Sequence, residues 1–241
     1  MSIVIKGQTV YGSRSIVSEN LMMYLDAANK LSYSGTGTSW NDISFYKNVA
    51  TLVNGPSFSS LNFGSIAFDG ADDLVSFPTK SFWNLSSSNF TIEFWFKLNS
   101  ITNNNPRLFK TSNDGNTAGI SITNPPGTNS LVIYMSSTGS TYDILNGAGL
   151  GSVTLGQFNH LVITRSGSTL SIYINNSFTS SANIGTTSIY YNSATDLALG
   201  GTVGGGRSIL GNIAVFKLYS KELTATQVSQ NYNALKNRFG L

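Results

Sequence analysis

The sequence predicts an all-β protein: a two-sheet antiparallel β-sandwich of jelly-roll type with one C-terminal α-helix. Three observations carry this expectation. Runs with period-two alternation recur along most of the chain at the roughly ten-residue spacing of sandwich strands. Helical periodicity occurs once, near the C-terminus, so no interleaved helices are available to build a parallel sheet. The clearest run, Phe158–Ser177, places Leu161, Ile163 and the aliphatic part of Arg165 on one side, and Leu170, Ile172 and Ile174 on one side after a Ser-Gly-Ser turn, the pattern of a β-hairpin.

In chain order, residues 1–18 read as an extended arm. Ile3, Ile5 and Val10 could pair on a sheet edge, reach a neighbouring subunit, or form a first strand of the same domain. Residues 19–241 are assigned to the sandwich. Leu21–Asp26 reads as a buried strand, and 33–54 as a polar stretch containing Trp40. Asn54-Gly55-Pro56 marks a turn. Residues 65–77 read strand, turn, strand, with Asp69-Gly70 favouring the tight turn. In Phe90–Leu98, Phe90, Ile92, Phe94, Phe96 and Leu98 share one face and Thr91, Glu93, Trp95 and Lys97 the other, which predicts a central strand. Shorter strands are expected at 107–110, 119–123, 130–136, 142–145, 196–200 and 212–219, with Gly200–Gly206 as a mobile loop. Thr224 followed by Gln227 is a capping box that opens a helix at about 224–237. Val228, Tyr232 and Leu235 form its apolar stripe, and Lys236 and Arg238 sit where cations complement the helix dipole.

Composition narrows the function. The chain has 241 residues, 40% of them hydrophobic and only 10% charged, against about a quarter in ordinary soluble proteins. Its polar surface must therefore be made of Ser, Thr, Asn and Gly, which suits extracellular or particle-borne β-proteins. The net charge of +3 is scattered, with no basic block to track phosphates, so no nucleic acid is expected. The absence of cysteine excludes a disulfide framework, a thiolate zinc site and a cysteine nucleophile. No apolar run approaches the ~18 residues of a membrane helix, and the N-terminus lacks the pattern of a signal peptide.

The order of segments is itself informative. FDGADDLVSF precedes FTIEFWFKL, then NHLVITRSGSTLSIYINN, then GNIAVFKLYSKELTATQVSQNYNALKNRFG. This resembles the laminin-G-like, concanavalin A-like lectin/glucanase superfamily from about Leu21 onward. Phe158 stands where the family usually has Trp before the histidine, and Asn176 where it usually has Gly; Asn tolerates the positive φ of such a turn. The two ends, LMMYLDAANKLSYSGTGTSWNDIS and LYSKELTATQVSQNYNALKNRFG, resemble laminin-G-like domains in structural proteins of tailed bacteriophages.

Candidate sites follow. Asp69, Asp72 and Asp73 form the densest acidic cluster, and hard cations favour several oxygen ligands. The resemblance implies calcium at Asp72 and Asp73, as in pentraxin-like relatives. Those relatives complete the site from a later acidic loop, however, and nothing acidic lies between Asp143 and Asp196; otherwise Asp69 is a turn former and Asp72–Asp73 begin a solvated edge. Calcium is the one cofactor in view. Trp40, Trp83, Trp95 and the Tyr190–Tyr191 pair are candidates for stacking on sugar rings; Trp95 and Trp83 have a core alternative, and Tyr190 and Tyr191, beside a turn, are the better exposed-loop candidates. Glu93 has no acidic residue two or four positions on, so the carboxylate pair of a retaining glycosidase is missing; it reads as a surface or concave-face carboxylate. His160, the lone histidine, reads as a structural residue. The expected function is thus a non-catalytic virion surface protein of a tailed phage, a capsid decoration or fibre component. Its partners would be a capsid or tail protein, further copies of itself, and host-surface glycans. A free carbohydrate-binding lectin is the alternative, and a glycoside hydrolase the third reading.

Overall fold

The structure, a computed structural model, describes residues 3–5, 8–10, 15–78, 81–101, 105–112, 117–194, 197–204 and 206–241. Alternation decides its layout. In β9 (Phe90–Leu98), Phe90, Ile92, Phe94, Phe96 and Leu98 enter the space between two sheets, and Glu93 and Trp95 face the opposite way. The front sheet runs β16 (Ser177–Asn183), β15 (Thr169–Ile174), β14 (Phe158–Ser166), β9, β18 (Leu210–Tyr219), β7 (Ser65–Asp69), β6 (Ser57–Ser59). The back sheet runs β13 (Leu145–Ser152), β12 (Ser130–Met135), β11 (Ile120–Thr123), β10 (Arg107–Lys110), β17 (Leu197–Leu199), β8 (Leu74–Phe77), β5 (Val49–Val53), β4 (Ser39–Asn41). All these pairings are antiparallel. One apolar cluster fills the gap between the sheets, with Phe216 against Phe94 at a ring separation of 5.1 Å and against Phe109 at 5.9 Å.

β18 carries the front sheet past a change of neighbour. Leu210–Ile213 pairs with β7, whereas Val215–Tyr219 pairs with β3 (Leu21–Asp26). The register shifts between Ile213 and Val215, and the Ala214 carbonyl accepts from the Ala27 amide at 3.0 Å. A β-bulge re-aims a strand in this way, and here it lets one strand serve two partners.

The expected hairpin is present: Ser166 pairs with Thr169 across Gly167, whose φ of 57° a side chain would strain. The predicted helix is Ala225–Leu235 (α1), followed by a 3₁₀ turn at Lys236–Phe239. Its capping box forms as expected: Thr224 Oγ1 accepts from the Gln227 amide at 3.3 Å, and Gln227 Oε1 accepts from the Thr224 amide at 3.1 Å. Arg238 interacts less with the helix dipole than with the body, donating to Asp26 Oδ1 at 2.6 Å and to the Asn62 carbonyl at 2.8 Å.

Several elements differ from expectation. Residues 65–77 supply two strands, but β7 and β8 lie in different sheets, so the Asp69-Gly70 turn links the two layers and closes no hairpin. β4 and β5 lie inside the stretch read as a polar loop; β4 is only three residues long. The strand expected at 142–145 begins at Leu145 instead and runs to Ser152. Glycines at 147, 149 and 151 erase its side-chain alternation, and its pairing shifts register twice. β16 was not anticipated because SFTSSAN is a mostly exposed edge strand with no apolar face. The glycine loop starts tightly packed: a Cβ on Gly200 would lie 2.3 Å from the Phe68 ring, and one on Gly201 would lie 2.4 Å from the Asp73 carbonyl. Asp196 lies outside the described residues.

Of the arm, β1 (Ile3–Ile5) and β2 (Gln8–Val10) form a separate two-stranded hairpin; residues 1–2, 6–7 and 11–14 lie outside the described set. Its last residues join the body. Val17 is buried beside Val162, Tyr219 and Val228, and the Ser15 carbonyl accepts from Gln230 Nε2 at 2.9 Å.

Candidate functional site

The outer face of the front sheet carries Glu93 at its centre. Strand register brings Lys217 directly across from Glu93 on β18, and Val162 across on β14; His160 is paired with Trp95 one step along. Close cross-strand neighbours interact. Lys217 Nζ donates to Glu93 Oε1 at 2.7 Å, and His160 Nε2 lies 3.0 Å from the same oxygen. α1 then covers the face. Asn231, in the middle of the helix, donates through Nδ2 to Glu93 Oε2 at 2.6 Å and to Tyr219 Oη at 2.9 Å, while its Oδ1 accepts from the Val17 amide at 2.7 Å. Tyr232 and Phe239 stack on Trp95 with ring centroids 5.6 and 4.4 Å away.

Glu93, His160, Lys217 and Asn231 are all 0% exposed, which corrects the reading of Glu93 as a surface or concave-face carboxylate. Burial alone would raise its pKa. The Lys217 ammonium and the His160 hydrogen bond outweigh burial and bring the carboxyl down to about 2. Burial also lowers the His160 pKa, against the pull of Glu93. This is a buried ion-paired network with both carboxylate oxygens engaged. His160 is the buried, hydrogen-bonded residue that its position suggested.

Among the expected sugar-stacking residues, Trp83 must be withdrawn. It is 3% exposed, and its ring packs among Phe77, Phe82, Phe109 and Phe216 at 5.0–6.4 Å, leaving no face for a ligand. Trp40 and Trp95 are likewise core. Tyr190 and Tyr191 are half-buried. Tyr191 packs against the main core, and the Tyr190 ring lies over Gly139, where a Cβ would come within 2.4 Å of it.

Asp69, Asp72 and Asp73 do converge, each offering an oxygen within 4.8 Å of the others. The turn already uses two of these side chains: Asp73 Oδ2 accepts from the Asp69 amide at 2.9 Å, and Asp69 Oδ1 from the Ala71 amide at 2.8 Å. Burial raises the Asp73 pKa, and the Asp69 and Asp72 charges add to that. The neighbouring loop contributes glycine at 200 and 201 and buried Thr202 but no carboxylate, so the donor set is poor for a hard cation.

A cavity of about 550 Å³ opens elsewhere, between the loop after β3 and the loop joining β4 to β5. Asn29, Asn41, Lys47 and Asn48 line it, with Leu31 and Ile43. The 43–48 loop carries Phe45, 90% exposed, and Tyr46, 49% exposed. This site was missed because most of its residues lie in 33–54, read as a polar stretch, and Asn29 and Leu31 lie just before it. The available signal was Phe45-Tyr46, two adjacent aromatics in the short loop 42–48.

The fold and these surfaces define a lectin-type β-sandwich. The sequence pattern of the Concanavalin A-like lectin/glucanases superfamily matches residues 69–229, two thirds of the chain, and the protein belongs to that family. No curated protein matches the sequence. Among solved structures, a Trypanosoma rangeli sialidase in complex with sialic acid is similar at 14% identity and a TM-score of 0.69, over 98% of this chain and 35% of that one. The binding domain of Paraclostridial Mosquitocidal Protein 1 is similar at 18% identity and a TM-score of 0.67, over 89% and 52% of the two chains. The binding domain of botulinum neurotoxin DC in complex with rat synaptotagmin II is similar at 16% and 0.68, over 90% and 52%. The chain thus spans between about a third and a half of the length of these proteins, and the likeness is one of fold. Among the described residues no helix is long and apolar enough to cross a membrane.

Proposed function

We propose that this protein is a non-catalytic binding domain that recognises carbohydrate, and that it serves as a surface component of a tailed-phage particle, held there by contact with a capsid or tail protein. The observation that carries the non-catalytic reading is the state of Glu93. Glycoside hydrolysis by paired carboxyls needs two of them flanking an accessible bond, and the one carboxylate at the centre of the front sheet is sealed beneath α1 and neutralised by Lys217. The carbohydrate reading is supported by membership of a lectin/glucanase family and by the likeness to sialidase and toxin binding domains. The particle reading is supported by the phage-like ends of the chain and by the neutral polar surface. A free lectin is the alternative for the same site chemistry.

Quantitative peptide mass spectrometry on purified particles from the source culture tests the particle reading. Recovery in proportion to the major shell protein is expected for a decoration, and a few copies per particle for a fibre adhesin. Absence from particles would sink the virion role and leave the free lectin.

A further inference from the structure

We infer that the cavity between residues 29–31 and 41–48 is a binding site for a carboxylate-bearing sugar. The inference rests on the carbohydrate reading above and specifies its site and ligand chemistry.

The volume, about 550 Å³, falls within the range of small-molecule sites. Its polar lining is left open by the fold. Among the described residues the Asn41 side-chain amide has no hydrogen-bond partner although the residue is half-buried. Asn29 uses only Oδ1, accepting from the Leu31 amide at 2.9 Å, which leaves its amide donors open. Asn48 uses only Nδ2, donating to Asp42 Oδ2 at 2.9 Å, which leaves its carbonyl oxygen open. The open donors of Asn29 and Asn41 and the open acceptors of Asn41 and Asn48 suit the mixed hydroxyls of a sugar ring.

The charge of the site is equally specific. Asp42 and Lys47 are the charged residues of the lining. Asp42 is buried, and its carboxylate is satisfied by five internal donors: the amides of Tyr24, Ser44 and Asn48, the Ser44 hydroxyl and the Asn48 amide group. Lys47 has only a long contact, 3.4 Å, to the Ile43 carbonyl. Asp42 and Lys47 carry opposite charges, but the Asp42 oxygens are occupied by buried donors, so Lys47 is the charged group left open to a ligand, and a carboxylate is its complement. Phe45 and Tyr46, next to Lys47 in the same loop, are exposed aromatics. An acidic peptide would satisfy Lys47 but would not need the three side-chain amides beside it.

The test is calorimetric titration of the whole chain with 3′-sialyllactose and with trigalacturonate, with lactose as the neutral control, alongside an array of acidic and neutral glycans. We expect binding of a carboxylated glycan but not of lactose. Loss of one charge-assisted contact in Lys47→Ala should weaken it about tenfold or more. Phe45→Ala and Asn41→Ala should weaken it severalfold, each with an unchanged melting temperature. Glycan binding that survives all three substitutions would overturn this site and leave the carbohydrate reading standing. Equal affinity for lactose would overturn the anionic ligand. Binding of no glycan would overturn both.

Discussion

Glu93, at the residue scale, is a carboxylate kept charged away from water. Its carboxylate survives in a dry environment because Lys217, His160 and Asn231 satisfy it together. Removing one partner of such a pair leaves an uncompensated buried charge, so Glu93→Gln should cost about 3–5 kcal/mol in urea unfolding. The double variant Glu93→Leu/Lys217→Met should recover at least half of that loss, since no lone charge remains. Additivity of the two single effects would show that the pair is not coupled. Acid should destabilise the protein in two stages. His160 and Glu93 both have folded pKa values below their ordinary ones, so the unfolded chain binds more protons and stability falls as pH falls. The His160 contribution is lost below its ordinary value of 6.5, and that of Glu93 between 4.5 and about 2. Urea midpoints measured across pH should show both limbs in the parent and a reduced lower limb in Glu93→Gln.

At the element scale, α1 is the lid of the front sheet. Its periodicity and capping box were legible in the sequence, but its buried face centres on Val228 and Asn231 rather than on the apolar stripe alone. A stripe-based reading passes over asparagine because the residue is polar; only the position of Glu93 beneath it explains the choice. Thr224→Ala removes the cap and should cost about 1 kcal/mol. Hydrogen exchange should speed first at the N-terminal turn of α1, while β9 stays protected. Equal acceleration in β9 would mean that helix and sheet open as one unit. The strands follow the same logic. β9, β14 and β15 were readable because each has a dry face and an alternating pattern, whereas β13 and β16 have glycine or serine where pattern would be.

On the scale of the whole molecule, the two sheets close one core, and the loops at their margins carry what is left for recognition. The Asp69, Asp72 and Asp73 turn lies at such a margin, linking the two layers. A bound cation at 100 times its dissociation constant would add about 2.7 kcal/mol, or roughly 5–10 °C in a domain of this size. With two of the three side chains already engaged within the turn, we expect added calcium to move the melting temperature by less than about 2 °C, a shift below that of a filled site. A rise near that of a filled site in scanning calorimetry, abolished by Asp73→Asn, would restore calcium as a ligand.

By itself the sequence determined the class: an all-β sandwich, its central strand and hairpin, the capped C-terminal helix and the family. These follow from local periodicity, capping and turn chemistry, which neighbours in sequence suffice to express. Tertiary structure alone decided the rest. It buried Glu93 and Trp83, set β7 and β8 in different sheets, and brought residues 29–31 and 41–48 together around a cavity. Those outcomes depend on which faces become covered and which loops meet, and that is fixed by contacts between residues far apart in the chain.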